Sequence, residues 1–181
     1  DANNAVIAGG ASNTVHAAAN EAAILCVNSN QVMGQYGVVA GGFVNEATDY
    51  AFVGSGDDND ATGSYAAVAA GQRNQASAQF GFVGAGLDNT NQGQYAAISG
   101  GRDNRINSGF DYSFVGAGQG HVIEADYAAV VAGRFDTVSA NHGGIVAGRD
   151  NRVSGDFGFI GAGDQNQASG LYSTVGAGLN N

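Results

Sequence analysis

Apolar residues return along this chain on a beat of fifteen. Tyr65-Ala66-Ala67-Val68 leads to Gly71, and Phe80-Gly81-Phe82-Val83 repeats the phrase and leads to Gly86. Anchoring each unit on its Val or Ile gives Ile7, Ile24, Val39, Val53, Val68, Val83, Ile98, Val115, Val130, Ile145, Ile160 and Val175, numbered here as coils 1 to 12. The spacing is 15 residues except for 17 after Ile7 and Ile98 and 14 after Val39. A fixed period is read before any single helix or strand. Close to each anchor the apolar positions alternate with period two, as in a strand. Gly and β-branched residues on the same beat oppose a helix. A unit this short predicts one coil of a parallel β-solenoid, each strand stacked on its equivalent in the next coil. Twelve coils at the strand spacing of about 4.8 Å give a rod roughly 55–60 Å long. The array fills residues 1–181 and predicts a single all-β repeat domain.

Counting from the anchor, position +3 is Gly in eleven coils, with Val27 the exception. Position +6 is Asn in ten: Asn13, Asn30, Asn45, Asn59, Asn74, Asn89, Asn104, Asn151, Asn166 and Asn181. His121 and Asp136 fill the other two places. Position +8 is usually Ala, Val or Ile, as at Val15, Ala76, Ile106 and Val153. Position −3 is aromatic in nine of the ten coils from Tyr36 to Tyr172; it holds all seven Tyr, and His142 interrupts it. Asn tolerates a left-handed corner, so turn chemistry is the simpler account of its column. Amide ladders along the axis are the alternative.

Positions −2, 0 and +2 read small, branched, small, as in Ala66-Val68-Ala70, which suits a thin interior. Cys26 at a +2 place reads as a small buried hydrophobe. Positions −3, −1 and +1 face the other way and are apolar too. The −1 column runs Val38, Phe52, Ala67, Phe82, Ala97, Phe114, Ala129, Gly144, Phe159, large alternating with small before slipping by one coil. A strand apolar on both faces needs cover on both, and a fifteen-residue coil has no spare segment to supply it. Exposed, Phe52, Phe82, Phe114 and Phe159 beside the aromatic column would exceed the patch a monomer tolerates. The expectation is packing against other copies of the chain in a closed cyclic homotrimer. The competing account is an aromatic stripe kept for a ligand.

Composition narrows the class. The chain has 31 Gly, no Pro and no Trp, and its basic residues are six Arg against sixteen acids, a net charge of −10. Such a surface repels nucleic acid and anionic lipid. Gly does not recur every third residue, so this is not collagen. No apolar run reaches about 18 residues, so no helical span and no membrane insertion of this segment is expected. One cysteine forms no intrachain disulfide. No signal-peptide pattern is visible, as in a mature or excised piece.

Catalytic patterns are missing: no GxSxG, Walker A or HExxH sequence occurs, and His16, His121 and His142 lie in different columns. The expectation is no enzyme and no cofactor. Asp57, Asp58 and Asp60 are weak metal candidates. Asp58-x-Asp60-x-Thr62-Gly63 imitates the opening of an EF-hand loop, but Ala69 stands where the closing Glu belongs. Asp58, Arg73 and Asp88 are fifteen apart and predict an acid–base–acid stack. The string Gly-Arg-Asp-Asn-Arg occurs at 101–105 and again at 148–152. Surface ion pairing is the simpler account of these arginines. The functional one makes Arg102, Arg105, Arg149 and Arg152 contacts for an acidic glycan or a partner.

The recurring Val-x-x-Gly-x-x-Asn-x-Ala-x-Gly, as in Val53-Gly56-Asn59-Ala61-Gly63 and Ile160-Gly163-Asn166-Ala168-Gly170, resembles the head repeats of YadA-type trimeric autotransporter adhesins. Similar repeats occur in phage and viral fibre proteins. The resemblance spans essentially the whole chain and implies a trimer of left-handed parallel β-rolls that binds host ligands or other cells. The present repeat departs from the family's usual fourteen residues by an added aromatic, and Asn replaces the common Ala at the corner. Within residues 1–181 no neck, heptad-stalk or barrel-anchor pattern is read. The functional expectation is an extracellular adhesion or receptor-binding rod on a bacterial surface or virion fibre, directed at a host glycan or protein receptor. The length defects near 44–50 and 107–112 are its candidate ligand loops. Alternatives are an ice-binding solenoid, against which the lack of a Thr column speaks, and a self-assembling filament subunit.

Overall fold

Each coil contributes two short strands. The anchor and the residue before it form the first, as at Ala67–Val68 and Phe82–Val83; positions +7 and +8 form the second, as at Gln75–Ala76. A computed structural model describes residues 3–25 and 28–181; Cys26 and Val27 lie outside the described residues. Every strand pairs in parallel with its equivalent one coil on, in the register set by the repeat. Phe82 sits between Ala67 and Ala97, and Gln75 between Asp60 and Thr90. The anchors thus form a twelve-stranded parallel sheet and the second strands an eleven-stranded one, giving about eleven turns of a β-solenoid. Single parallel bridges at +4 form a third row, from Asn28 to Leu179. No element among the described residues is a helix.

The inward faces of the two sheets share one core. The anchors Val68, Val83 and Ile98 are fully buried, and so are Ala76 and Ile106 at +8; small −2 residues such as Ala66 and Ala96 complete the layer. Position +2 does not join them as expected. Ala70, Ala85 and Gly100 are only half-buried, because the chain is already turning there. The Gly at +3 makes that turn possible. Gly71 has φ +107°, and a Cβ on it would run into the Gly86 carbonyl oxygen of the next coil.

The Asn column corrects the simpler account of it. The left-handed corner belongs to position +5, where Asp58, Arg73 and Asp88 have φ of 57°, 52° and 59°. From Asn30 to Asn104, and again at Asn151 and Asn166, the Asn at +6 points inward and is buried. Asn74 Nδ2 donates to Asn59 Oδ1 at 3.1 Å and to the Gly86 carbonyl at 2.9 Å, while the Asn74 backbone N–H donates to the same Asn59 oxygen at 3.0 Å. The pattern repeats from Asn30 to Asn104 and again from Asn151 to Asn181. A fully partnered amide row of this kind is what lets a polar residue sit in the core.

Where His121 and Asp136 replace Asn, the row is incomplete. Asp136 N–H donates to His121 Nδ1 at 3.2 Å, and Asn151 donates through its backbone and side chain to Asp136 Oδ1 at 2.9 and 3.0 Å. His121 Nε2 and Asp136 Oδ2 are buried without a hydrogen-bond partner. Burial pushes the His121 imidazole below its ordinary value and the Asp136 carboxyl above its own, so both favour the neutral form.

Candidate interaction surface

Outside the core, the most continuous feature is the −3 column. Its residues sit in the left-handed region, with φ from 54° to 61° between Tyr36 and Tyr172. Each N–H reaches back to the −4 carbonyl of the preceding coil, as from Tyr65 to Asp49 at 3.1 Å and from Phe80 to Ser64 at 3.0 Å. The rings project outward and stack: Tyr36, Tyr50, Tyr65, Phe80, Tyr95, Tyr112, Tyr127, His142, Phe157 and Tyr172 form one row. Centroids are 4.6–5.0 Å apart and planes within 20°. Their faces cover one another and their edges meet solvent.

The length defects do not disturb this row. The residue missing near 44–50 and the two extra near 107–112 are absorbed in the turn that precedes −3. Tyr36 still stacks on Tyr50 at 4.8 Å and Tyr95 on Tyr112 at 5.0 Å.

Beside the ridge lies the outer face of the anchor sheet. Phe52, Phe82, Phe114 and Phe159 stand on it about 40 % exposed. Each is followed two residues later by Gly: Gly54, Gly84, Gly116 and Gly161. A Cβ at Gly54 would lie 3.3 Å from Phe52 Cε1, and one at Gly116 3.4 Å from Phe114 Cε1. The Phe52 and Phe114 rings therefore lean across the Gly of their own coil. Coils with a small −1 residue carry the larger +1 residue instead, as in Ala97-Ser99, Ala129-Val131 and Gly144-Val146. This compensation levels the face, a local reason for the large–small alternation that the −1 column alone did not disclose.

The arginines lie elsewhere. All six occur at +4, +5 or +7, on the turn leading to the second sheet or on that sheet's outer face. Arg73 holds Asp88 through two contacts of 2.6 and 2.7 Å, which keep that carboxyl below its usual range. Asp58 makes no hydrogen bond to Arg73 in the expected stack, and only its charge acts on it. Arg149 grips Asp164 through Nε and Nη2, and Arg102 leans on Asp103 at 3.2 Å. Arg152 reaches Ser139 Oγ at 3.3 Å. Arg105 lines an open polar groove of about 380 Å³ with Arg73, Asp88, Thr90, Asp103 and Asn104. The four candidate arginines thus share one flank, but two of them are held by acids of their own chain.

Asp57, Asp58 and Asp60 do not converge on a common point. Asp57 accepts from Gln72 Nε2 at 2.9 Å, and no group of three or more acids, His or Cys among the described residues could hold a metal. Asp60 faces Glu46 across the second sheet; burial first, then the charges of Glu46 and Asp58, push its carboxyl up to about 6. The sequence matches no protein-family model and no curated protein.

Proposed function

We propose that this chain is a non-enzymatic adhesion or receptor-binding rod, assembled as a homotrimer and displayed outside the cell, on a bacterial surface or a virion fibre. The observation that carries the reading is the long apolar flank of the solenoid, interrupted in the −3 column by His142. Thirteen Phe and Tyr side chains of the −3 and −1 columns are 39–67 % exposed. With about 200 Å² per ring they present on the order of 1,000 Å² of aromatic surface. That exceeds the patch of roughly 300–600 Å² found on monomers and the roughly 800 Å² each partner buries in a standard interface. Sister copies fit it better than a stacked ligand, because the ridge rings already use their faces on one another. The left-handed sense of the coil and its YadA-like arrangement belong to this proposal through the sequence resemblance. A straight array then presents the same flank of each coil to a host glycan or protein receptor, and binding gains strength by repetition across three chains.

Cell-binding and glycan-array assays on the purified chain test the reading, with the F82D/F114D variant as its monomeric control. The expected result is binding by the assembled chain that drops at least tenfold in the variant, as avidity requires. Equal binding by both would separate adhesion from assembly, and absence of binding to any cell or glycan would remove the adhesive function.

A further inference from the structure

Over coils 7 to 9 the two turns that border the anchor sheet carry opposite net charge, with Arg102 and Arg134 against the single Asp103 on one and Asp111 and Asp126 on the other; by coil 11 the first turn has gained Asp150 and Asp164 beside Arg149 and is neutral. One turn is the arginine flank already described, with Arg102 in coil 7, Arg134 in coil 9 and Arg149 in coil 10 at +4. The other carries acids at −4: Asp111 in coil 8, Asp126 in coil 9 and Asp156 in coil 11. No Arg occurs at −4 or −3 anywhere in the chain. Each of these carboxylates uses Oδ1 to accept a backbone N–H of the coil before, from Gln94 at 2.9 Å, Asp111 at 2.8 Å and Asn141 at 3.0 Å. Asn141 does the same for Asp126 at 3.0 Å, so the turn needs the acceptor and not the charge. None of the three acids forms an ion pair among the described residues. On the opposite turn Arg102 pairs with its neighbour Asp103, Arg149 is held by Asp164, and Arg134 lies 5.1 Å over Phe135.

We infer that these two turns recognise each other between copies of this chain, the Asp111–Asp126 turn of one copy lying against the Arg102–Arg134 turn of the next. The inference rests on the reading that sister copies cover the apolar sheet face. It adds orientation and register to that reading. In a parallel, level arrangement Asp126 meets Arg134 within coil 9, and Asp111 in coil 8 lies one coil from both Arg102 and Arg134. Turning one copy end over end sets acid against acid and base against base. Coils 4 and 11 oppose the pattern, because Asp49 on one turn would face Asp57 and Asp58 on the other, and Asp156 would face Asp164. Coils 7 to 9 therefore set the register. Exposed pairs of this kind act more on specificity and partner choice than on raw affinity.

A double-mutant cycle tests the contact. The full chain, R102Q/R134Q, D111N/D126N and the fourfold variant are compared by sedimentation velocity at low and high salt (about 0.05 M and about 0.5 M). Asn preserves the turn's acceptor, as Asn141 shows, and all four sites lie outside the core. At low salt each pair of substitutions is expected to raise the dissociation constant about fivefold. The fourfold variant should be no weaker than either alone within about twofold, because both remove one contact. High salt should weaken the native assembly by the same factor and leave the variants unchanged. Additive losses of about 25-fold, or assemblies insensitive to every substitution, overturn the inference while leaving assembly through the sheet face intact. The same holds if heparin binds the native chain and not R102Q/R134Q while assembly is unchanged, which makes the arginines a polyanion site. A chain that stays monomeric throughout overturns this inference together with the reading beneath it.

Discussion

His121 and Asp136 are the two residues most at odds with their column. Every other described +6 residue is an Asn, able to donate and accept at once. These two leave Nε2 and Oδ2 buried and unpartnered, with His121 Nδ1 3.6 Å from Asp136 Oδ2. The cost changes owner with pH. Burial lowers the His121 pKa from its ordinary 6.5, so the unfolded chain takes that proton first, and stability present above 6.5 is lost as pH falls below it. Burial raises the Asp136 pKa from 3.8, so stability present below 3.8 is lost as pH rises through the folded value. Completing the row with H121N/D136N should therefore stabilise the chain by about 2 kcal/mol at pH 7. D136N should supply most of that gain at pH 7, and H121N the larger share in acid. Thermal melts followed by circular dichroism across pH check this; a double variant no more stable than the native chain contradicts it. The interruption was visible in the sequence, but its burial was not. A polar column in a hydrophobic pattern reads as surface, and the left-handed position beside it is hidden because Asp, Arg, Phe and Gln fill it instead of Gly.

The repeating turns show what an element gains by stacking. A left-handed non-glycine residue costs about 1–2 kcal/mol, and the −3 column places ten of them in a row. Each also gains ring contacts with its neighbours, worth about 0.5–1.5 kcal/mol apiece. Tyr112 makes two, with Tyr95 and Tyr127, both at 5.0 Å. Tyr112→Ala keeps the strained backbone and loses both contacts, so it should destabilise by about 1–3 kcal/mol in urea unfolding. An unchanged midpoint would mean the row contributes nothing to the coil. The strands and their register were legible from period and anchors alone, because in a solenoid one repeat length fixes all pairings. The aromatic column was legible as a stripe, but its ring-on-ring geometry was not. Neither was the pairing of each −1 Phe with a +1 Gly read, although Phe52-Val53-Gly54, Phe82-Val83-Gly84, Phe114-Val115-Gly116 and Phe159-Ile160-Gly161 spell it out. The signal lies within one coil, and a search between coils passes over it.

At the scale of the whole molecule, an acidic rod keeps all its arginines on one side and most of its exposed aromatic surface on another. Sequence reasoning reaches the apolar flank because a strand apolar on both faces reads as a continuous apolar run instead of an apolar–polar alternation. It does not reach the charged turns, since Asp at −4 and Arg at +4 are unremarkable singly and become opposing edges only when the coil is closed. Sedimentation equilibrium of the purified chain puts the covered flank to the most direct test. The account predicts that, as concentration rises, the chain saturates at a particle of three times the 18.0 kDa chain mass, and that F82D/F114D remains one chain. A native chain that remains at 18.0 kDa up to high concentration, with its aromatic flank open to solvent, would contradict it.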